Sequence, residues 1–236
     1  DYTDRGYAID VLVIDTDWRN GTSGSGYEIN TELFPNMAQF LEDCHELGVN
    51  VCFNDHPDPL ADTENSLDKE EVQFRKEHLT LLLSLGLDYW WYDRNWTTAL
   101  KPIDDELSVY AFGMYAYNWV TDEYLQSIKD LNGYAERALM MSNIDGCQHG
   151  VWTYASDITA HRYSIQWTGD IHADEDDLAQ EIYASVFGSA EVGIPYISSD
   201  LGGHNQSVTS ELYGRWFQYG ALSAICRVHC MKNMSG

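Results

Sequence analysis

Short apolar runs that end on a polar residue alternate along the chain with segments of helical periodicity. Seven runs are typical of β-strands, and Asp, Asn or His ends them; they cover residues 10–15, 50–55, 89–93, 137–143, 164–170, 195–200 and 223–229. Four segments between them space apolar residues as amphipathic helices do; they cover residues 37–47, 69–85, 175–188 and 211–220. Gly48 and Gly86 follow the first two of these segments, at positions where glycine commonly ends a helix.

Strand and helix in regular alternation predict a parallel sheet. Seven strands exceed most doubly wound sheets and fall one short of an eight-stranded barrel. In such barrels the βα loops converge at the carboxyl ends of the strands, and polar side chains there build the site. The sequence therefore predicts an α/β fold, a (β/α)8 TIM barrel with one strand unaccounted for.

The charge balance restricts the partners. The 236 residues include 38 acidic and 13 basic side chains, a formal charge of −25, which disfavours nucleic acid and anionic membrane surfaces. No run approaches the roughly 18 apolar residues of a membrane helix. Five cysteines without paired spacing favour a reduced compartment, the cytoplasm slightly ahead of others, and we expect a soluble protein with a neutral ligand.

Two strand-end aspartates are the first candidates for chemistry. Asp93 follows Trp90, Trp91 and Tyr92, and Asp170 follows Trp167 closely. Glycoside cleavage needs two carboxyl groups across one bond, and an aromatic-lined pocket raises the pKa of a carboxyl that must stay protonated. Four other aspartates at or near strand ends compete for the same roles: Asp15, Asp17, Asp55 and Asp200.

An ordered set of motifs resembles the catalytic barrel of glycoside hydrolase family 31, which includes many α-glucosidases and α-xylosidases. The motifs are DVLVIDTDW, LFPNMAQFLEDCHELGVNV, GLDYWWYD, WTGD, GIPYISSDLGGH and ELYGRWFQYGALSAICRVH. The resemblance implies that residues 1–236 form a partial (β/α)8 catalytic domain with strands 2–8 present and the first strand and last helix missing. An open barrel leaves sheet edges unpaired, so we expect another chain or segment to supply the missing strand.

The same resemblance implies a retaining mechanism and assigns its residues. Asp93 would be the nucleophile and Asp170 the general acid/base, with carboxyl groups about 5–5.5 Å apart. The implied substrate-binding residues are Asp15, His56, Trp91, Arg162, Trp167, Asp200 and His229. The implied partner is a glycoside or oligosaccharide, and neither a metal nor an organic cofactor is required.

Two departures from the family pattern leave the sugar open. Asn143 stands where the family has an arginine, and Arg162 is expected to take over its contact. The segment FNDHPDP carries His56 at the end of the third family strand, where it could contact the sugar. We expect a retaining α-glycosidase acting on α-glucosides first, with α-galactosides, α-N-acetylgalactosaminides, α-xylosides and transglycosylation as alternatives.

Two readings from other classes compete. A non-catalytic carbohydrate binder is favoured by the missing strand and by Asn143, and the retention of Asp93 and Asp170 opposes it. A metal-dependent hydrolase would draw its ligands from several strand ends: His56, His204 and His229 with Asp15 and Asp200. Such barrels usually carry a His-x-His on an early strand, and this sequence has none.

Overall fold

The computed structural model describes residues 2–20, 26–55, 69–93, 139–142, 147–148, 151–152, 165–188, 190 and 193–230. The chain divides into two compact units, Asp1–Met140 and Met141–Gly236. Among the described residues, no helix combines the length and apolar character needed to cross a bilayer.

The first unit contains a three-stranded parallel sheet. Its strands are β1 (Val11–Ile14), β2 (Asn50–Asp55) and β3 (Tyr89–Tyr92), hydrogen-bonded in that order. Helix α1 (Met37–Glu46) leads into β2, and α2 (Lys69–Leu85) leads into β3. Because the strands are parallel, the polar residues at their carboxyl ends lie along one edge of the sheet.

Buried aromatic and aliphatic side chains hold this unit together. Trp18 is fully buried; its ring stacks on Phe53 with centroids 5.4 Å apart and meets Trp90 edge-on at 5.9 Å. Asn36 caps helix α1, because its side chain accepts a hydrogen bond from the Gln39 amide. The helix buries an apolar stripe of Met37, Leu41 and Cys44. Complete burial of a Leu, Met or Phe side chain stabilises the folded state by about 1.5–3 kcal/mol.

The second unit repeats the parallel β/α pattern. Strands β4 (Met140–Ser142), β7 (Ile165–Trp167) and β8 (Ile197–Ser198) are paired in that order, with β4 starting at the unit boundary. Helix α3 (Glu175–Phe187) follows β7 and α4 (Ser210–Gly220) follows β8. Asp174 and Thr209 cap the two helices, and the helices close over a buried cluster of Ile171, Leu178, Leu201 and Trp216. A short antiparallel pair, β5 (Cys147–Gln148) and β6 (Val151–Trp152), lies between β4 and β7 in the chain.

Six of the seven predicted strands and all four predicted helices are confirmed within the described residues. Strand β2 coincides with its prediction, and the other five strands are shorter than predicted by one or more residues at their ends. The glycines expected to end helices, Gly48 and Gly86, have φ of 74° and 113°. Which barrel strands the six represent stays a prediction.

The seventh strand, predicted at 223–229, is wrong. Only Val228 pairs, in an isolated bridge with Leu201. The chain beyond α4 instead continues in tight turns: Leu222 N donates to Tyr219 O at 3.0 Å, and Ser223 N donates to Gly220 O at 3.1 Å. The Ser223 amide, at the start of the predicted strand, is thereby used in a turn.

Candidate active site

Asn54, the penultimate residue of β2, joins two of the predicted site carboxylates. Its Nδ2 donates to Asp15 Oδ1 across 2.8 Å and to Asp93 Oδ2 across 2.7 Å. Asn54 is fully buried, Asp93 is half-buried and Asp15 is exposed. One amide therefore orients the carboxylates that follow the strands on either side of β2.

The backbone around this bridge is fixed on both sides. Asn54 is paired with Trp91 in the β2–β3 register, and Asp93 N donates to Asp55 O at 3.1 Å. The indole Nε1 of the buried Trp18 donates to Asn54 O at 2.6 Å. The amide thus occupies a defined position before any ligand binds.

Asp15 and Asp55 have different local roles. Asp15 caps the 3₁₀ turn Thr16–Trp18, and its Oδ1 accepts from the Thr16 amide at 2.8 Å. The Asp55 side chain is 1% exposed and accepts from Tyr27 Oη at 3.1 Å. Of these two strand-end aspartates, Asp15 is exposed at the surface, whereas Asp55 is buried and hydrogen-bonded in the interior.

The tryptophans predicted to line a sugar subsite are almost completely buried. Trp91 is 1% exposed, beside a fully buried Trp90. Trp167 is 2% exposed, and its Nε1 donates to Asp200 Oδ1 at 2.8 Å. The contact of Trp91 and Trp167 with a sugar stays a prediction.

Asp200, in the second unit, is a carboxylate with no exposed surface. Arg227 Nη2 donates to Asp200 Oδ1, and Arg227 Nε donates to Ser198 Oγ at 3.0 Å. Burial alone would raise the pKa of Asp200, but the Arg227 guanidinium, with smaller contributions from two histidines and Trp167, holds it below its usual range. Asp200 is therefore an ionised, charge-paired group.

His204 lies between Asp200 and the predicted general acid. Its Nδ1 is 3.4 Å from Asp200 Oδ2, and its Nε2 is 3.8 Å from Asp170 Oδ1. The ring of His229 is tilted against the His204 ring, with centroids 4.9 Å apart. The side chain of Asp170 is 58% exposed, so a proton on this carboxyl can reach a bound ligand or water.

Backbone hydrogen bonds join the loop after Asp170 to the loop after Asp200. His204 N and Asn205 N both donate to Ile171 O, at 2.9 and 3.0 Å, and Ala173 N donates to Asn205 O at 3.0 Å. A Cβ atom on Gly203 would lie 2.4 Å from Ala173 Cα, and φ at Gly203 is 85°, so only glycine fits there.

The donor set does not fit a metal centre. Ligand atoms of Asp200, His204 and His229 lie within 4.8 Å of one another. Asp200, however, accepts from Arg227, which places a cationic guanidinium at the carboxylate that a metal would need. The cluster is better described as a paired carboxylate with two neighbouring histidines. His56, the remaining histidine of that hypothesis, lies outside the described residues.

The structure brings together some predicted site residues and leaves others untested. Asp15 and Asp93 meet through Asn54 in the first unit. In the second unit, Trp167 and His229 lie around Asp200, and His204 connects this group to Asp170. His56, Arg162 and Asn143 lie outside the described residues, and the separation of the Asp93 and Asp170 carboxyl groups stays a prediction.

Sequence reasoning missed three residues in these networks. Asn54 lies directly before two candidate residues, Asp55 and His56, but was not itself predicted. Arg227 lies two positions before His229 in the closing motif. His204 was considered only as a metal ligand. The available signal was position: each lies within one or two residues of a predicted site residue or within a quoted motif.

Parallel β/α units that carry oriented carboxylates after their strands are typical of β/α-barrel catalytic domains. Residues 56–236 match the model of the glycosyl hydrolases family 31 TIM-barrel domain, and the chain belongs to this family. The predicted family is thereby confirmed.

Two of the curated relatives differ in their named activity. An α-xylosidase of Saccharolobus solfataricus is 24% identical over 261 residues, covering 97% of this chain and 34% of its own length. An α-glucosidase of Hordeum vulgare is 42% identical over 69 residues, covering 29% of this chain and 8% of its own length. The chain spans about a third of the length of the relatives that it matches almost throughout.

A solved structure has the same fold. The family 31 α-glucosidase from Bacteroides thetaiotaomicron superposes with a TM-score of 0.71 at 20% identity, covering 100% of this chain and 43% of its own. The α/β fold of a TIM-barrel domain is therefore shown, in agreement with the sequence prediction.

Proposed function

We propose that this chain carries the catalytic barrel of a retaining α-glycosidase, which cleaves terminal α-linked sugars by double displacement. The observation that carries the proposal is the Asn54 bridge, in which a buried amide orients the carboxylate of Asp93 after β3. A nucleophile gains from such pre-organisation, because its geometry is set before the transition state forms.

In the first proposed step, Asp93 attacks the anomeric carbon. Asn54 donates to Asp93 Oδ2 and thereby orients this carboxylate. A bond forms between a carboxylate oxygen of Asp93 and the anomeric carbon while the bond to the leaving oxygen breaks. Asp170 gives its proton to that oxygen, which departs as an alcohol.

In the second proposed step, water replaces the enzyme. The Asp170 carboxylate removes a proton from water, and the water oxygen bonds to the anomeric carbon as the Asp93 ester bond breaks. Both carboxyl groups return to their starting protonation, and two inversions give net retention. If another sugar takes the place of water, the same intermediate gives transglycosylation.

Further residues are proposed to bind the substrate. Asp15, exposed after β1, would accept hydrogen bonds from sugar hydroxyls. His229, half-buried beside His204, would donate to a ring hydroxyl. The remaining proposed contacts are His56, Trp91, Arg162, Trp167 and Asp200.

α-Glucosides are the first proposed substrates and α-xylosides the second. The α-glucosidase of barley gives the higher local identity, whereas the α-xylosidase of S. solfataricus aligns with nearly the whole chain. α-Galactosides and α-N-acetylgalactosaminides share the same chemistry and belong in the same assay.

The test uses the protein at its full natural length. Aryl α-glucoside, α-xyloside, α-galactoside and α-N-acetylgalactosaminide are assayed with wild type and with Asp93→Ala. We expect turnover of one sugar by wild type, a loss of at least about 10³-fold in the variant, and a covalent glycosyl adduct on Asp93 with a fluorinated glycosyl fluoride. Binding of a sugar by folded wild type without turnover would replace this function by that of a carbohydrate binder.

A further inference from the structure

A buried carboxyl group outside the proposed machinery links the ends of β7 and β8. Glu181, in the middle of α3, has no exposed surface. Its Oε2 accepts a hydrogen bond from Thr168 Oγ1 at 2.7 Å and another from Ser199 Oγ. One carboxylate oxygen therefore holds two hydroxyl groups that come from two different strand ends.

Those two hydroxyl groups adjoin the proposed site. Thr168 lies two positions before Asp170, and Ser199 lies one position before Asp200. The strands are also joined by their backbones, since Thr168 N donates to Ser198 O at 3.2 Å. Glu181 adds a side-chain link at the point where the regular pairing of β7 and β8 ends and the two loops begin.

A hydroxyl cluster encloses Glu181 from the side of α4. Tyr219 Oη lies 3.0 Å from Ser199 Oγ and 2.5 Å from Ser185 Oγ. It also donates to the backbone carbonyl oxygen of Glu181. The network therefore ties α3 and α4 to the same two strand ends. A polar network with this degree of burial fixes geometry, because losing any member leaves buried groups unsatisfied.

The environment favours the neutral carboxyl. Burial raises the pKa of Glu181 to about 7; hydrogen bonds from Ser199 and Thr168 lower it, and the charges of Asp200 and Asp177 raise it further. Among the residues that the structure describes, the titratable groups that face Glu181 are these two aspartates and Tyr219. In the part of the chain that the structure describes, no lysine or arginine is ion-paired with it.

We propose that Glu181 is a positioning residue for the general acid/base, which sets the place of Asp170 by clamping Thr168 to Ser199. The inference rests on the proposed function. Glu181 touches neither substrate nor reacting atoms; it acts through the backbone that leads from Thr168 to Asp170. Its loss should therefore weaken proton delivery more than it weakens nucleophilic attack or binding.

The experiment compares leaving groups in the full-length protein. Glu181→Leu removes both acceptor bonds at similar size, Glu181→Gln keeps an oxygen that can accept both, and Asp176→Asn changes an exposed acid on the same helix as a control. On a substrate with an alkyl or sugar leaving group, we expect Glu181→Leu to lower kcat about tenfold or more. On an activated aryl glycoside the loss should stay under about threefold, with KM nearly constant and Glu181→Gln close to wild type.

Each other outcome has a separate meaning. Equal losses on both leaving groups, after correction for the folded fraction, would overturn the positioning role and leave a purely structural one. If Glu181→Leu does not fold, Thr168→Val serves instead, because it removes a single hydroxyl. It should also lower kcat more on the poor leaving group than on the activated one, by a smaller factor. Equal effects on both substrates would again overturn the inference. A folded wild type that turns over no glycoside would instead remove the proposed function, and the inference with it.

Discussion

Asn54 Nδ2 and Asp93 Oδ2 are 2.7 Å apart, and the same amide holds Asp15 at 2.8 Å. Asn54→Ala should lower kcat/KM by roughly 10- to 100-fold, because a hydrogen bond to a charged group contributes about 1.5–3 kcal/mol. Steady-state kinetics on the aryl glycoside that wild type accepts measures the loss.

Asn50 provides the matched control for that variant. It lies at the other end of β2, and its Nδ2 donates to Tyr89 Oη at 2.8 Å. Asn50→Ala also removes one amide of the strand, but it should leave kcat/KM within about threefold of wild type. Similar losses in Asn50→Ala and Asn54→Ala would mean that the strand, and not the carboxylate bridge, matters.

Removing Asp170, the proposed general acid, should affect kcat differently for substrates with poor and with activated leaving groups. Asp170→Ala is expected to lower kcat by at least about 10²-fold on substrates with poor leaving groups, which need protonation, and far less on activated aryl glycosides. Added azide should restore part of the lost activity on the activated substrate by replacing water as the acceptor. A uniform loss on all substrates would contradict the assignment of Asp170.

The buried pair of Arg227 and Asp200 should dominate the stability of the second unit. Arg227→Leu leaves a buried carboxylate without its guanidinium and should reduce the free energy of unfolding by about 3–5 kcal/mol. Arg215→Leu is the control, since Arg215 pairs with Glu175 and Glu211 on the surface, where such pairs contribute under about 1 kcal/mol. Urea titrations at neutral pH measure both; equal losses would contradict the prediction.

Glu181 predicts a specific dependence of stability on pH. Its pKa rises from an ordinary value of 4.5 to about 7 in the folded chain, so the folded state binds the proton more tightly. The tighter proton binding adds roughly 3 kcal/mol to the free energy of unfolding below pH 4.5. This stabilisation is lost as the pH rises through about 7. Glu181→Gln should flatten this part of the profile relative to wild type, and Asp176→Asn should not; parallel profiles for wild type and Glu181→Gln would contradict the raised pKa.

Gly203 tests the close contact between two loops. Gly203→Ala should lower the free energy of unfolding by about 1–2 kcal/mol because φ is positive at this position. The contact of the new Cβ with the Ala173 backbone should lower it by about 1–3 kcal/mol more. Gly193→Ala is matched, because φ is 77° there and a Cβ would meet nothing within 4 Å. The difference between the two midpoints of thermal unfolding isolates the contact, and no difference would show that the loops can separate at little cost.

The sequence predicted the helices well because their signals are local. Asn36, Asp174 and Thr209 cap helices through bonds to residues three positions away, and the apolar spacing that defines each helix lies within it. The strand predicted at 223–229 was wrong because apolar residues alone do not reveal whether a pairing partner exists. Only one residue of that segment found one.

The networks were harder to predict because they depend on which strands are neighbours. Asn54 is 39 positions from each of Asp15 and Asp93, and nothing near Asn54 in the sequence identifies them as its partners. Glu181 lies in an amphipathic segment, where an acidic residue ordinarily indicates the solvent-exposed face. Its burial depends on Thr168 and Ser199, which only the folded chain brings to it.

The backbone bonds between the loops after Asp170 and Asp200 imply cooperative opening. The amides of Ala173, His204 and Asn205 all donate across the two loops, so neither loop can expose these groups to solvent while the other stays closed. In hydrogen–deuterium exchange the three amides should behave as one unit with a common opening free energy. A conformational fluctuation that releases the Asp200 loop would thereby also displace Asp170, which would couple local dynamics to the general acid/base role proposed for this residue.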